Sequence, residues 1–306
     1  MGGGGRVAVG DLSSGISGVG HYSLSMTAMP LDLHALAQQV DDLYEHIADV
    51  RTGDKEATET VESAIDLLDR GVVRVAEIDD TGSVVVHEWL KKAILLLFRL
   101  RAIETIEVGP FEYADRLPLK NGLAAAGVRA VPGASARWGS FLGRGVVLMP
   151  SYVNIGAYVG EDTMVDTWAT VASCAQIGAR VHLSGGVGIG GVLEPPNAVP
   201  VVVEDDAFVG SRCMIVEGAR VGEGAVVGAG TILSPSIPVI DVESGEELSR
   251  GFIPPWTVAV SGSRRREFSG GEFFLPCVLV IRRLKEGERH DRITLNAVLR
   301  EHGVST

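Results

Sequence analysis

Aliphatic residues recur at every sixth position through the second half of the chain. The two runs are Val147, Val153, Val159, Val165, Val171, Ile177, Leu183 and Ile189, then Val203, Val209, Ile215, Val221, Val227, Leu233 and Val239. A period of six matches neither an amphipathic helix nor an alternating strand, and a fixed internal period indicates a repeat architecture. We interpret each unit as one short strand and one corner, so that three units complete one coil of a triangular prism with the aliphatic side chains inside.

Glycine and proline mark the corners and the break in this repeat. Gly follows the aliphatic residue at positions 160, 178, 190, 210, 222 and 228. We expect Gly there to relieve the steric cost of unusual dihedral angles at a tight corner. Val203 follows Ile189 after fourteen positions, two more than two repeat units, and 194–200 is rich in proline. Because proline cannot remain in a central strand, this break predicts a loop extruded from one corner.

The segments that flank the repeat show other patterns. Before it, the pattern predicts a helix over 31–49, a helix from near Thr60 to Gly71, a hairpin over 72–86 and a helix over 88–100. After it, we predict strands over 252–260 and 273–284, separated by the polar stretch 261–271, and a helix over 293–302. The predicted division is a disordered, Gly-rich start (1–28), a helical domain (29–130), a β-helix (131–240) and a strand-rich C-terminal segment (241–306).

Composition and charge narrow the classes of function. The net charge of −12 argues against a general nucleic-acid binder and against binding to an anionic membrane surface. No apolar stretch approaches the roughly 18 residues of a membrane span, and no secretory signal precedes the helices. The three cysteines are scattered without metal-ligand spacing, which is typical of a reduced cytoplasm. We therefore expect a cytoplasmic protein of mainly β structure.

Several motifs in and before the repeat are more specific than a generic hexapeptide repeat. They are His87–Ala93, Val147–Val159, Thr163–Val171, Ser173–Gly178 and Val181–Pro195. Together they closely resemble the tetrahydrodipicolinate N-succinyltransferases of the diaminopimelate route to lysine. The resemblance covers roughly residues 60–300 and is strongest between 147 and 195.

This resemblance implies a fold, an assembly and a reaction. Hexapeptide repeats of this kind are typical of a left-handed parallel β-helix, whose handedness the spacing alone does not give. The resemblance also implies a homotrimer with active sites in clefts between neighbouring β-helices. It implies succinyl-CoA as donor, and tetrahydrodipicolinate or its ring-opened amino-keto acid as acceptor. It implies direct transfer without an acyl-enzyme, and we expect no metal.

Asp166 is the leading candidate for the catalytic base. Amide formation from a thioester requires an unprotonated amine held beside a polarised carbonyl. Asp166 directly follows an inward Val, at the corner position where Gly is usual, and it matches a substrate-binding, catalytic aspartate of the family. The competing interpretation is a corner Asp that accepts local backbone hydrogen bonds. His182, within the coils, is a second candidate base, and a lone His in the coils does not suffice for a zinc site.

Arginines are the candidates for binding a dicarboxylate acceptor, because guanidinium groups bind carboxylates in a bidentate manner. Arg129 matches a substrate-binding arginine of the family, and Arg212 is a candidate for a second carboxylate. A surface ion pair is the alternative role for a lone arginine.

Coenzyme A requires close backbone approach for its pantetheine arm and cations for its phosphates. Ser184, Gly185, Gly186 and Gly191 are candidates for the arm, although repeat corners need Gly in any case. Arg264 and Arg265 belong to the arginine triplet Arg264–Arg266 and are candidates for the phosphates, with a solvated charged run as the alternative.

One position departs from the family pattern. By ungapped alignment, a glutamate that the family pairs with its aspartate falls on Met214, whose thioether cannot accept a proton from an amine. Glu217 matches a different family glutamate. Two alternatives therefore stay open: a paralogue that uses acetyl-CoA and a related amino acid in specialised metabolism, and a non-catalytic trimeric scaffold.

Overall fold

The computed structural model describes residues 32–287. Three helices and two antiparallel hairpins precede the repeat: α1 (Leu33–Glu45), α2 (Lys55–Asp69), β1 (Ala76–Ile78), β2 (Val84–Val86), α3 (Glu88–Leu100), β3 (Glu104–Val108) and β4 (Phe111–Asp115). The prediction for α3 is confirmed at both ends. The predicted disordered start and the predicted helix over 293–302 lie outside the described residues.

Helix α2 begins five residues before the predicted start. Asp54 caps it, and its Oδ1 atom accepts a hydrogen bond from the Ala57 amide at 3.1 Å. Such a cap satisfies a backbone donor that the first helical turn leaves unpaired. The predicted inward residues Val61, Ile65 and Leu68 are buried, so the helical face was predicted correctly although the start was not.

The repeat forms a three-sided parallel β-helix of two-residue strands. Face A contains β5 (Arg129–Ala130), β8 (Val147–Leu148), β11 (Met164–Val165), β14 (His182–Leu183), β17 (Phe208–Val209) and β20 (Val226–Val227). Face B contains β6 (Ser135–Ala136), β9 (Tyr152–Val153), β12 (Thr170–Val171), β15 (Gly188–Ile189), β18 (Met214–Ile215) and β21 (Ile232–Leu233). Face C contains β7 (Phe141–Leu142), β10 (Tyr158–Val159), β13 (Gln176–Ile177), β16 (Val202–Val203), β19 (Arg220–Val221) and β24 (Phe252–Ile253). The chain visits A, B and C in turn.

The second residue of each strand points into the prism. From Val153 onward the predicted inward residues are all buried, which confirms the hexapeptide interpretation. Val147 is the exception, and its assignment as an inward residue was wrong. It pairs with the outward residue Met164, whereas Leu148 pairs with Val165 and is fully buried. Val153 follows Leu148 after five positions instead of six, so the coil is one residue shorter there.

The corner glycines are required for a different reason from the one predicted. Positive φ angles occur three residues after the inward residue, as at Trp168 (61°), Gly186 (70°) and Arg212 (61°). The Gly directly after the inward residue instead meets the next coil. A Cβ atom on Gly160 would lie 2.5 Å from the carbonyl carbon of Gly178, closer than van der Waals packing allows.

We therefore expect Gly160→Ala to lower the free energy of unfolding by about 1–3 kcal/mol, the usual cost of overpacking. Gly270→Ala is the control, because no atom lies within 4 Å of the added methyl group there. Urea denaturation of both variants measures the difference. Equal midpoints would contradict the steric explanation for the corner glycines.

Two hairpins interrupt and extend the last coils. Strands β22 (Pro238–Asp241) and β23 (Glu247–Arg250) are inserted between β21 and β24, and parallel pairing then resumes beyond residue 240. Strands β25 (Thr257–Phe268) and β26 (Gly271–Arg283) form one continuous hairpin. The polar stretch 261–271, predicted as a connection between strands, is thus mostly strand itself. These four strands extend the sheet of face A beyond β20.

The break in the repeat forms a loop at the corner between faces B and C, as predicted. This loop, residues 190–201, is held by Lys91 of α3, which is fully buried. The Lys91 Nζ atom donates to the carbonyl oxygens of Pro195 at 3.0 Å and Ala198 at 2.7 Å. Within residues 32–287, no helix is long and apolar enough to cross a membrane.

Candidate active site

The corner between faces A and B, termed the A/B edge, brings together most of the predicted site residues. It comprises the residues that connect each face A strand to the following face B strand: 131–134, 149–151, 166–169, 184–187, 210–213 and 228–231. Asp166, Ser184, Gly185, Gly186 and Arg212 all belong to it, on three successive coils. The edge is therefore built by the repeat itself, and the position of each residue on it follows from the count of repeat units.

Asp166 lies half-buried at this edge, directly after β11. Its Oδ1 atom accepts hydrogen bonds from the Thr167 amide at 2.6 Å and from the Thr167 hydroxyl at 3.2 Å. The second oxygen, Oδ2, accepts no hydrogen bond from any residue between 32 and 287. The local hydrogen bonds of a corner Asp therefore coexist with a carboxylate oxygen that is open to a ligand.

Two buried hydroxyl groups lie on the coils before and after that of Asp166. Ser151 is 6% exposed and Ser184 is 3% exposed. The Oγ atoms of both have no hydrogen-bond partner among the described residues. Ser151 occupies the inward position two residues before Val153, and neither Oγ atom reaches the surface, so these hydroxyl groups belong to the wall of the prism and are not contacts that the edge offers to a ligand.

Arg212 extends its side chain across Gly186. A Cβ atom on Gly186 would lie 2.7 Å from the Arg212 Cδ atom and 2.8 Å from its Nε atom. Gly186 thus provides the space in which the guanidinium stem lies. Its own amide is already used, since it donates to the Thr167 carbonyl at 2.8 Å. Gly185 has more open space around it, because a Cβ atom there would lie 3.6 Å from its nearest neighbour, the Thr167 carbonyl oxygen.

Trp168 is a residue of this edge that was not among the predicted site residues. Trp168 is 73% exposed and lies two residues after Asp166, and its positive φ angle places it at the corner. Its amide donates to the Pro150 carbonyl at 2.7 Å. An exposed indole beside a carboxylate offers an apolar surface to a ligand or a partner chain. The only sequence signal was its place in the Thr163–Val171 motif.

Arg129 lies on face A rather than on the edge. It occupies the outward position of β5 and aligns with Val147, which in turn aligns with Met164. Two strand spacings of about 4.8 Å each separate it from the strand that precedes Asp166. The strand that carries its exposed side chain therefore lies about 10 Å along the prism axis from the strand that precedes Asp166.

His182, the second candidate base, occupies the outward position of β14 on face A. Its ring stacks on Phe208, with 5.1 Å between the ring centroids and 20° between the planes. This stacking places the imidazole in the row of outward side chains on face A, so His182 does not lie at the A/B edge with Asp166.

Gly191 does not join this site. It follows β15 at the corner between faces B and C, where the extruded loop begins. A Cβ atom there would lie 2.8 Å from the Ser173 amide nitrogen, so close packing of the coils explains this Gly.

The arginine triplet lies on β25, beyond the A/B edge. Arg264 donates to Glu247 at 2.7 Å, whereas Arg265 forms an ion pair with Glu272 on the other side of the strand. Alternation along a strand places Arg266 on the same side as Arg264. Both line a cavity of about 260 Å³ that Arg265 does not reach.

Met214 occupies the outward position of β18 on face B and is 43% exposed. Its Sδ atom would lie 2.5 Å from a Cβ atom on Gly188, so the thioether packs over that glycine. In the described part of the chain, no group of three His, Cys, Asp or Glu side chains is arranged to hold a metal ion.

Comparison with known proteins agrees with this architecture. Residues 200–235 match a family model described as the hexapeptide repeat of succinyl-transferase, which places the chain among the hexapeptide-repeat transferases. Residues 35–100 match the model of the tetrahydrodipicolinate N-succinyltransferase N-terminal region.

Full-length relatives define the family more closely. The 2,3,4,5-tetrahydropyridine-2,6-dicarboxylate N-succinyltransferase of Chelativorans sp. (strain BNC1) is 44% identical over 88% of this chain and 99% of that protein. The proteins of the same name from Rhodopseudomonas palustris (strain BisA53) and Idiomarina loihiensis are 48% and 45% identical, over 80% and 87% of this chain and 91% and 98% of those proteins. The chain therefore belongs to this N-succinyltransferase family, and the resemblance inferred from its motifs is confirmed.

Proposed function

We propose that this protein transfers a succinyl group from succinyl-CoA to the amine of tetrahydrodipicolinate or its ring-opened form, in the lysine and diaminopimelate route. The observation that carries the proposal is Asp166 at the A/B edge, with one open carboxylate oxygen, in a chain whose family membership spans nearly the whole length of its relatives. The A/B edge is the surface on which donor and acceptor meet.

Asp166 acts as general base in this proposal. Tetrahydrodipicolinate is a cyclic imine, and addition of water gives the ring-opened form with a free amine. The amine nitrogen attacks the thioester carbonyl carbon, and the open Oδ2 atom of Asp166 takes the proton that the nitrogen loses. The tetrahedral intermediate then collapses, the carbon–sulfur bond breaks, and the CoA thiolate takes this proton from Asp166, which restores the carboxylate. The Thr167 bonds to Oδ1 keep the carboxylate oriented during these steps.

The arginines provide the positive charges that pair with the two carboxylates of the acceptor. Arg129 and Arg212 lie on opposite sides of the Asp166 coil along the prism axis, and each presents a guanidinium group to one carboxylate of the acceptor. A dicarboxylate held at both ends places its amine between them, beside Asp166. Gly185, on the next coil, leaves open space for the thioester arm, because a Cβ atom there would lie 3.6 Å from its nearest neighbour.

The cysteines support direct transfer rather than an acyl-enzyme. All three are buried. Burial raises the pKa of the Cys174 thiol to about 12 and that of Cys213 to about 11, and it also raises the pKa of Cys277. Because the thiolate is the nucleophilic form, none of them is suited to accept the acyl group.

The proposal includes a left-handed coil and a homotrimer in the cytoplasm, with the A/B edge facing a neighbouring β-helix. Exposed apolar side chains at and beside this edge support an interface: Trp168 is 73%, Met214 is 43% and Ile232 is 57% exposed. Large exposed apolar groups of this kind are typical of surfaces that a partner covers.

A thiol-release assay tests the proposal. Succinyl-, acetyl- and other acyl-CoA donors are each paired with tetrahydrodipicolinate, and release of free CoA is followed. We expect the succinyl donor to give the highest kcat/KM. Preference for acetyl-CoA would identify the altered paralogue, and absence of release together with absence of CoA binding would identify the scaffold.

Met214→Glu tests the departure from the family pattern. A carboxylate at this position would restore a second acid–base group on face B, and we expect succinyl transfer to rise about tenfold, since one positioned group contributes 10²-fold or more in favourable cases. Ile232→Glu is the matched control, because Ile232 is the register partner of Met214 on the next coil. If both variants gain the same rate of succinyl transfer, or if neither gains any, then the residue at position 214 does not limit that rate.

A further inference from the structure

The hairpin of β1 and β2 and face C of the prism enclose a second cavity, termed the face C cavity. Its volume is about 340 Å³, and its charged lining consists of Arg74, Glu77, Glu204, Asp205 and Glu223. Apolar side chains of β1 and β16 complete the wall. Because the A/B edge is the corner of the prism opposite face C, this cavity is separate from the candidate active site.

Arg74 lies at the base of the face C cavity, on a rigid support. Its Nε atom donates to the Gln176 Oε1 atom at 3.1 Å, and its Cζ atom lies 3.8 Å from the centroid of the Tyr158 ring. Gln176 is 1% exposed, and its Nε2 atom donates to the carbonyl oxygens of Cys174 at 2.9 Å and Gly156 at 3.3 Å. These two bonds fix the side-chain oxygen of Gln176 toward the guanidinium group, so Arg74 is held in one position.

The guanidinium group of Arg74 has lost water without gaining an ion-pair partner. No carboxylate of residues 32–287 forms an ion pair with it, and it is half-buried. Burial is the main reason that the pKa of Arg74 is lowered, whereas the more distant charges of Glu77 and Asp205 act in the opposite direction. A ligand carboxylate that reached the base of the cavity would supply the missing partner, in the bidentate geometry that arginine favours.

Glu223 lies at the mouth of the same cavity and forms no ion pair with any residue between 32 and 287. Two neighbouring carboxylates do have partners, since Arg220 Nε lies 2.6 Å from Glu204 Oε1 and Arg180 NH2 lies 3.3 Å from Asp205 Oδ2. Partial loss of hydration, followed by repulsion from neighbours that include Asp205 and Glu204, raises the pKa of Glu223. A cation placed beside Glu223 would relieve this repulsion.

The charges of the face C cavity select one class of ligand. Negative charges exceed positive charges by two among the ionisable groups that line the cavity or pair with its lining: Glu77, Glu204, Asp205, Asp206 and Glu223, against Arg74, Arg180 and Arg220. This excess excludes a nucleotide or another polyanion, and a simple polyamine would leave Arg74 unpaired. A molecule with one carboxylate and two cationic groups matches both features.

We propose that the face C cavity binds an α-amino acid with a cationic side chain. The carboxylate pairs with Arg74, the α-ammonium group pairs with Glu77, and the side-chain cation pairs with Glu223. The aliphatic stem lies along Ile78 and Val202, which are part of the apolar wall. The volume of about 340 Å³ is at the lower end of the range for small-molecule sites, in keeping with a ligand of this size. The inference does not depend on the proposed function, because it assigns a second site.

Titration calorimetry of the full-length chain with three probes tests the class of ligand. L-lysine carries all three charged groups, cadaverine lacks the carboxylate, and L-norleucine lacks the side-chain cation. We expect L-lysine to bind at least about tenfold more tightly than either of the others, because each of them lacks one charge-assisted contact. Equal affinity for cadaverine would show a merely anionic surface, and equal affinity for L-norleucine would remove the role of Glu223. Either result, or no binding of L-lysine at millimolar concentration, would overturn the proposal.

Glu223→Gln locates the site, because this exposed side chain holds no other residue in place. Glu161→Gln is the matched control, since Val159-Gly160-Glu161 and Val221-Gly222-Glu223 occupy the same corner position on different coils, and Glu161 does not line the cavity. We expect only Glu223→Gln to lower the affinity for L-lysine, by about tenfold or more. Equal losses in the two variants would exclude the cavity as the site.

Two further variants separate this site from the candidate active site and test the carboxylate contact. Asp166→Asn should leave the affinity for L-lysine unchanged, and a tenfold loss would place the ligand at the A/B edge instead. Arg74→Gln should abolish the difference in affinity between L-lysine and cadaverine, because that difference comes from the carboxylate. A difference that persisted in Arg74→Gln would contradict the role of Arg74. All of these measurements are of binding, so their outcome stands whether or not the protein transfers an acyl group.

Discussion

Asp166→Asn is expected to lower turnover by about 10²–10⁴-fold, the usual contribution of a positioned general base. The asparagine keeps the size of the side chain, and its carbonyl oxygen accepts the same hydrogen bonds from Thr167 that Oδ1 accepts in the wild type, at 2.6 and 3.2 Å. What it loses is the ability to take a proton from the amine. Thiol release at saturating substrates measures this effect.

Asp162→Asn is the matched control for this experiment. Asp162 lies one corner earlier in the same coil, at the edge between faces C and A, and has a positive φ angle of 54° that Asn also tolerates. We expect its turnover to remain near that of the wild type. CoA affinity, measured by calorimetry, should be unchanged in Asp166→Asn. Undiminished turnover in that variant would exclude Asp166 as the base and would favour His182.

The sequence predicted the β-helix well because the aliphatic residues at every sixth position are the residues that the prism buries. Every predicted inward residue from Val153 onward is buried. The position two residues before most of them is buried as well, as at Ala157, Ala175 and Cys213, but it is often a small residue and gave no clear periodic signal. The misplacement of Val147 has a simple origin. Val147 and Leu148 are both aliphatic, and the coil that follows is one residue short, so composition alone did not distinguish the two registers.

The reason why the corner positions require Gly could not be predicted from the sequence. The six-residue period predicts that a residue lies at a corner. It does not predict which atoms of the neighbouring coil that residue contacts. At Gly160 the limiting contact is with the backbone of Gly178, eighteen residues later. The same reasoning applies to Gly186, which the sequence suggested for coenzyme A and which the structure places beneath the side chain of Arg212.

The C-terminal hairpin was misjudged because it has no buried face along much of its length. Residues 265–275 of β25 and β26 are exposed on both sides, so they show no alternation of polar and apolar residues. The candidate site could be predicted only in part, because only some of its residues belong to the repeat. Asp166 and Arg212 follow the repeat and could be placed by counting, whereas the cavity between Arg250 and Arg266 depends on two hairpins that the repeat does not encode.

Lys91→Met is expected to lower the free energy of unfolding by about 1–3 kcal/mol, because the buried ammonium group that holds two carbonyl groups of the loop is lost. Lys91 is fully buried in α3, and its Nζ atom holds the carbonyl oxygens of Pro195 and Ala198. Methionine fills a similar volume but donates no hydrogen bond, so the Ala198 carbonyl group loses this donor at a cost of about 1–3 kcal/mol, whereas the Pro195 carbonyl group still accepts from the Ala198 amide at 3.0 Å. Burial is the main reason that the pKa of Lys91 is lowered, so the charged ammonium group is itself unfavourable in the fold. Its removal therefore offsets part of the loss in stability.

The neighbouring lysine provides the control. Lys92→Met makes the same substitution one residue later in the same helix, but Lys92 forms a half-exposed ion pair with Asp41 at 2.7 Å, and such pairs contribute about 0–1 kcal/mol. Urea denaturation compares the two variants. Hydrogen exchange at the Ala198 amide, which donates to Pro195 at 3.0 Å, reports whether the loop itself loosens. Faster exchange there in Lys91→Met alone would establish that α3 anchors the loop, whereas equal losses of stability in both variants would show that the buried ammonium contributes no more than a surface charge.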